Sequence, residues 1–299
     1  MGEQVETSES GVMGQSEEVT AMDETIVEQP STGAVFTSFV RREINTAILT
    51  GSFIALTLSV FAVVIGITLV GSGFSAGDIT TVMELLTPLQ LLVPVVAFVL
   101  GFNAILSDRR SGEIDVLRTY PVAAWQVVIG VYLGRALGLV IAIGGPLVLL
   151  FVPIATTSTP RLPMYASHTG ADTPILYLRL IVLTLLFALV MLAVAIALSA
   201  LVSSARTAIL GVGLGLILIL FGLDLALSAG FSIGFISDSA LISSLALSPL
   251  SAFRGLVLEM AISVTEGTGP ETASPVASLI GLAVWGGGSL VVATWALKR

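Results

Sequence analysis

The chain has 299 residues, of which 55% are hydrophobic and only 11% charged, and its mean hydropathy of +1.03 excludes a soluble globular domain of this size. Its net charge of −8 is a local property, because eight of the twenty acids lie between Glu3 and Glu28 with no Lys or Arg among them. The absence of cysteine excludes disulfides, thiolate metal sites and cysteine nucleophiles.

Residues 1–34 are rich in Glu, Ser, Thr and Gly and poor in aromatics. They cannot bury enough apolar surface to offset the entropy of ordering, so a disordered acidic tail is expected. The segment has neither the basic start nor the apolar core of a signal peptide. From 35 to 47, Val35, Phe36, Phe39, Val40 and Ile44 recur near helical spacing around Arg41, Arg42 and Glu43. That pattern fits either an interfacial helix or an ordinary juxtamembrane flank.

The rest of the chain, 35–299, reads as one six-helix transmembrane domain. Ile48 to Val70 is 23 residues without a charge, enough at about 1.5 Å per residue to cross about 30 Å of hydrocarbon. Further apolar runs place spans at about 88–107, 126–153, 175–202, 207–229 and 275–297. The linker after the first span carries Asp78 and Glu84, and Pro94 interrupts the second span, where it frees a backbone carbonyl.

Between the second and third spans lies the one dense charge cluster, with Asp108, Arg109, Arg110, Glu113, Asp115 and Arg118. Short loops rich in Arg are retained in the cytoplasm. Arg41, Arg42, Arg206, Lys298 and Arg299 fall on that same side, whereas Arg161 and Arg254 fall in opposite loops, so both termini are expected in the cytoplasm. Within the cluster Ile114, Val116, Leu117 and Tyr120 alternate with charges. A short amphipathic helix over 112–119 follows, stopped by Pro121, with Trp125 as an interfacial anchor.

In the third span, Arg135 either snorkels to the headgroups or marks a polar path. The loop that follows is external and holds the only histidine, His168, four residues after Met164. A Met-x-x-x-His pair can touch copper, but two ligands on such a loop do not make a built site, and His168 is read as solvated. Asp224 is an acid within the fifth span that either reaches water or faces a translocation surface between subunits. The external segment from Leu241 to Met260 is apolar yet interrupted by Pro249 and Arg254. It is predicted to form one or two helices at the outer interface.

At the charge cluster the sequence Ser107-Asp-Arg-Arg-Ser-Gly-Glu-Ile, then Leu-Arg-Thr-Tyr-Pro-Val and Ile-Gly-Val-Tyr-Leu-Gly-Arg, resembles the cytoplasmic loop of type-2 ABC transporter permeases. Here Gly112 is followed by Glu113 where the family has Thr. The step Ser248-Pro-Leu-Ser-Ala-Phe-Arg, with Pro249, Phe253 and Arg254, resembles the Asn-Pro-x-x-Ala-Phe-Arg step of the NosY-type members of that family. The resemblance implies an all-α membrane protein in which Glu113 to Arg118 form a coupling helix on an ATPase subunit. Asp108, Arg109, Arg110, Gly112, Glu113, Asp115, Arg118 and Pro121 would then be the ATPase-coupling residues. It further implies a second permease copy in a homodimer, a periplasm-side accessory protein, membrane lipid as the surroundings and no nucleic acid. NosY-type members are associated with maturation of the copper site of nitrous oxide reductase; a general exporter of drugs, lipids or peptides and a non-transporting scaffold are the other readings.

Catalytic chemistry is not expected in the chain itself. It has no Gly-x-x-x-x-Gly-Lys-Ser/Thr, and its sole lysine, Lys298, cannot serve as a phosphate-binding lysine of that motif. No cofactor is expected on this chain, while ATP and Mg would sit on the partner ATPase. With a single histidine in a loop and no His-Glu-x-x-His, neither a Ser-His-Asp set nor an intramembrane zinc protease is compatible with the sequence.

Overall fold

In the computed structural model, residues 50–71, 78–102, 104, 123–156, 174–202, 205–234, 244–262 and 273–298 are described, with Gly33 and Thr37 singly. Among these residues every regular element is helical. Six helices are long and apolar enough to cross a membrane. This is the expected outcome where no water is present to pair a backbone N–H or C=O, because a helix satisfies those groups within one segment.

The first span, α1, is Gly51–Val70, and the second, α2, is Asp78–Gly101. The third, α3, runs through Ala124–Leu139, a wider π turn at Val140–Gly144, and Gly145–Thr156. The fourth, α4, is Pro174–Leu201, and α5 continues through Ala205–Ile217, a π turn at Leu218–Gly222, and Leu223–Ser232. A short helix α6, Pro249–Val257 extended by a π turn at Leu258–Ile262, precedes the last span, α7, Pro275–Lys298.

One stretch differs from the hydropathy reading. The region expected as a linker up to residue 88 is already helical from Asp78, and α2 ends at Gly101. The reason is amphipathic: Val82, Leu85 and Leu86 are buried on one side of this first part, continuing into Leu89. Asp78 lies in the first turn, where a negative charge faces the positive end of the helix dipole. Gly144, Gly145 and Pro146 leave α3 continuous, as the span expected over 126–153 requires. The π turn absorbs the proline, whose ring displaces the carbonyl four residues back at Ala142.

The spans fall into a centre and a periphery. In α4, 78% of the most apolar stretch is buried, against 22% in α1, 11% in α5 and 22% in α7. Thus α4 is the core, and it packs most extensively on α2 and α7, with α3, α5 and α6 also against it, while α1 rests on α2 and α3. The α2–α4 seam closes at Gly101, where a methyl group would lie 2.5 Å from Ala195 Cβ. The α3–α4 seam carries two polar ties, Tyr132 Oη donating to Leu189 O at 3.3 Å and Tyr177 Oη donating to Leu147 O at 3.1 Å.

Candidate functional site

The bundle has two ends that differ in chemistry. One end carries the C-terminal ends of α2, α4 and α7 and the beginnings of α3 and α5. The charge cluster joins α2 to α3 at this end, but Asp108, Arg109, Arg110, Gly112, Glu113, Asp115, Arg118 and Pro121 lie outside the described residues, as does the expected 112–119 helix. The interfacial segment 35–47 lies outside them as well, apart from Thr37.

What is described is the frame that holds the cluster. Entering α3, Ala123 N–H donates to Gln126 Oε1 at 2.9 Å, so the first turn is closed by a side chain reaching back. Arg135 lies three turns further into α3 and is half-buried. Its Nη1 donates to the carbonyl of Leu100 in the last turn of α2. The last carbonyls of a helix have no internal donor and carry the negative end of its dipole, so a guanidinium there is doubly favourable. Arg135 therefore ties α3 to the end of α2 from which the charge cluster departs.

The opposite end is built around α6. Ser248, fully buried, is its N-cap, with Oγ accepting from Ser251 N–H at 3.4 Å, and Pro249 occupies the first turn, where its missing N–H costs nothing. Pro249 thus starts a helix. The face carrying Ala252, Phe253, Leu256 and Val257 is buried, whereas Arg254 is exposed. Phe253 stacks on Phe187 of α4 with ring centroids 4.6 Å apart and planes 9° from parallel. The predicted external helix is therefore seated into the bundle, against α2, α4, α5 and α7.

Polar ties fix its seat. Asp224 of α5, half-buried and just past the π turn, accepts at Oδ1 from Ser251 Oγ at 2.9 Å. Arg179, near the start of α4, donates from Nη1 to Met260 O at 2.8 Å, again a cation on the carbonyls of a helix end. Glu259 Oε1 accepts from Ala273 N–H at 3.1 Å, ahead of α7. The turn Leu245–Leu247 is held on α7 by Trp285, whose Nε1 donates to Leu247 O at 2.9 Å. One turn earlier in α7, Gly281 lies directly under the Ala246 carbonyl, leaving no room for a methyl group.

Sequence reasoning singled out Asp224, Pro249, Phe253 and Arg254, and the structure brings the first three to one assembly through Ser251 and Phe187, with Arg254 on its outer surface. Ser251, Arg179, Glu259, Gly281 and Trp285 were not anticipated. The one available signal was the Ser248-Pro249 pair, which has the form of a helix start. Met164 and His168 lie outside the described residues. Among the described residues no group of three or more His, Asp or Glu is placed to hold a metal ion. The arrangement comprises a wedge touching four spans at one end and an arginine tie between two spans at the other.

The family profile "ABC-2 family transporter protein" matches residues 3–299. The chain is 26% identical over 276 residues to the "Probable ABC transporter permease protein NosY" of Pseudomonas aeruginosa, covering 88% of this chain and 97% of that protein. It is also 26% identical over 112 residues to the protein of the same name from Stutzerimonas stutzeri, covering 36% of this chain and 40% of that one. With six apolar helices and a family match over nearly its whole length, the chain is a multi-pass membrane protein that belongs to the ABC-2 family of transporter proteins.

Proposed function

We propose that this chain is the permease subunit of an ABC transporter, coupled to ATP hydrolysis on a separate ATPase subunit that holds ATP and Mg. The match to the permease of Pseudomonas aeruginosa over 97% of that protein carries this reading. Both termini and the 108–121 cluster face the cytoplasm, by the excess of Arg on that side. Glu113 to Arg118 dock on the ATPase, and its closure pushes on the ends of α2 and α3. The Arg135 tie then makes the two helices respond as one unit, biasing a two-state membrane element from one surface. A second copy of the chain completes the translocation path. In this reading the cargo step belongs to maturation of the copper site of nitrous oxide reductase, with a periplasm-side accessory protein as acceptor; likeness to relatives named NosY supports it.

The test is reconstitution of the chain with its ATPase in lipid vesicles. The double substitution Glu113→Ala and Arg118→Ala is expected to leave insertion intact and to abolish the stimulation of ATP turnover by the permease. Unchanged stimulation sinks the docking assignment, and failure of any ATPase to co-purify with the chain favours a scaffold. Deleting the chain from its host is expected to abolish nitrous oxide reduction; altered sensitivity to toxic compounds without that loss favours a general exporter.

A further inference from the structure

Pro94 lies inside α2, and its missing N–H leaves the carbonyl of Gln90, four residues back, without a helical donor. In a membrane such a carbonyl is satisfied by a neighbouring hydroxyl or an ordered water. Two further polar groups are relevant. Gln90 Nε2 and Thr184 Oγ1 are both shielded from solvent and have no hydrogen-bond partner among the described residues, and Thr184 is fully buried in α4. This is unusual for the chain, because Thr57, Ser59, Thr68, Thr156 and Thr294 all donate to the carbonyl four residues back in their own helices.

The helix register brings these groups together. Successive spans alternate in direction, so α2 and α4 run the same way, and they are closest where Gly101 meets Ala195. Three turns, about eleven residues, back from Gly101 is Gln90, and the same step back from Ala195 is Thr184. Both therefore lie level on facing stripes of the α2–α4 seam. Pro94 is buried and falls on that same stripe, two turns from Gly101.

We infer that the Gln90 carbonyl, the Gln90 side-chain amide and the Thr184 hydroxyl hold one buried water molecule between α2 and α4. A buried water typically makes about three hydrogen bonds to groups that would otherwise go unpaired, and the register sets three such groups at one level of the seam. The water donates to the Gln90 carbonyl and accepts from the Gln90 amide, while the Thr184 hydroxyl completes its shell. Because water can exchange partners as the proline turn opens or closes, the site lets α2 bend without leaving a bare carbonyl.

The sign of one substitution tests this. Thr184→Val is nearly isosteric and, if the hydroxyl served nothing, would remove an unpaired buried group and leave stability unchanged or raised. The water site predicts instead a fall in Tm of about 2–4 °C for the full chain in lipid nanodiscs, with Thr184→Ser, which keeps the hydroxyl and gives up only a buried methyl, falling less. Pro94→Ala restores the missing donor, so in that background the Thr184→Val loss should shrink toward zero. An equal loss in both backgrounds means that Thr184 bonds only within its own helix and overturns the proposal, as does an unchanged or raised Tm. Solid-state NMR supplies the direct readout: polarisation transfer from water to the Gln90 side-chain amide is expected in the parent chain and lost in Thr184→Val. Its absence in the parent chain overturns the site.

Discussion

Phe253 illustrates how one side chain decides where an element sits. A helix with Arg254 exposed and a buried aromatic beside it has one orientation that removes the ring from water or headgroups, and Phe187 of α4 provides the flat partner. Phe253→Ala is expected to cost about 3–5 kcal/mol, the range for truncating a buried aromatic that leaves a cavity, and Phe253→Leu distinctly less. Thermal unfolding in detergent, with both variants side by side, checks the order; equal losses would show that the ring stacking, which leucine cannot restore, and not the filled volume sets the cost. At this scale the sequence was informative about kind and silent about contact. It marked Asp224 as an intramembrane acid, but the partner is Ser251, across a loop and on another element, which no local spacing reveals. Arg135 was equally visible as a charge in a span, while its acceptor is a backbone carbonyl of α2 and leaves no trace in side-chain identity.

Among the elements, α6 is seated partly by a close approach in the turn ahead of it. The turn ahead of it rests on α7 because Gly281 has no side chain, so the Ala246 carbonyl can lie against the helix backbone, and Trp285 one turn on fixes the same turn by a hydrogen bond to Leu247. Gly281→Ala must push the turn away. The expected cost is about 1–3 kcal/mol, as for other overpacked sites, with faster hydrogen exchange across 249–257 and a shift in Trp285 fluorescence as the indole loses its acceptor. Exchange left at the parent rate would show that the turn is held by its other ties alone. The spans themselves were legible from apolar length, since a run long enough to cross hydrocarbon has no alternative to a helix. The start of α2 was not, because its first turns carry Asp78 and Glu84 and bury only one side, which a hydropathy window averages away.

For the whole molecule, the uneven burial of the spans is the main fact. With α4 enclosed and α5 almost bare, the face of α5 formed by Leu210, Leu214, Ile217, Leu218, Phe221 and Leu225 is exposed at helical spacing and meets either lipid or a second copy. The proposed homodimer predicts that Leu214→Cys, introduced into a chain with no other cysteine, forms a disulfide-linked dimer in native membranes under mild oxidation. A cysteine at Val182 of α4, exposed on a different helix, serves as the comparison, and equal cross-linking at both positions would remove the argument for α5.

What the sequence by itself determined was the membrane class, the number of crossings and the separation of an arginine-rich end from the other. Those properties follow from composition and charge along a single chain and need no knowledge of neighbours. Tertiary structure alone decided that α4 is the centre, that the helix started by Pro249 is a wedge within the bundle, and that Arg135 and Asp224 bind groups on other elements. In lipid all the span surfaces are similarly apolar, so hydropathy cannot rank them. Which face is buried is set by steric fit, at Gly101 against Ala195 and Gly281 against Ala246, and by a few polar ties between helices.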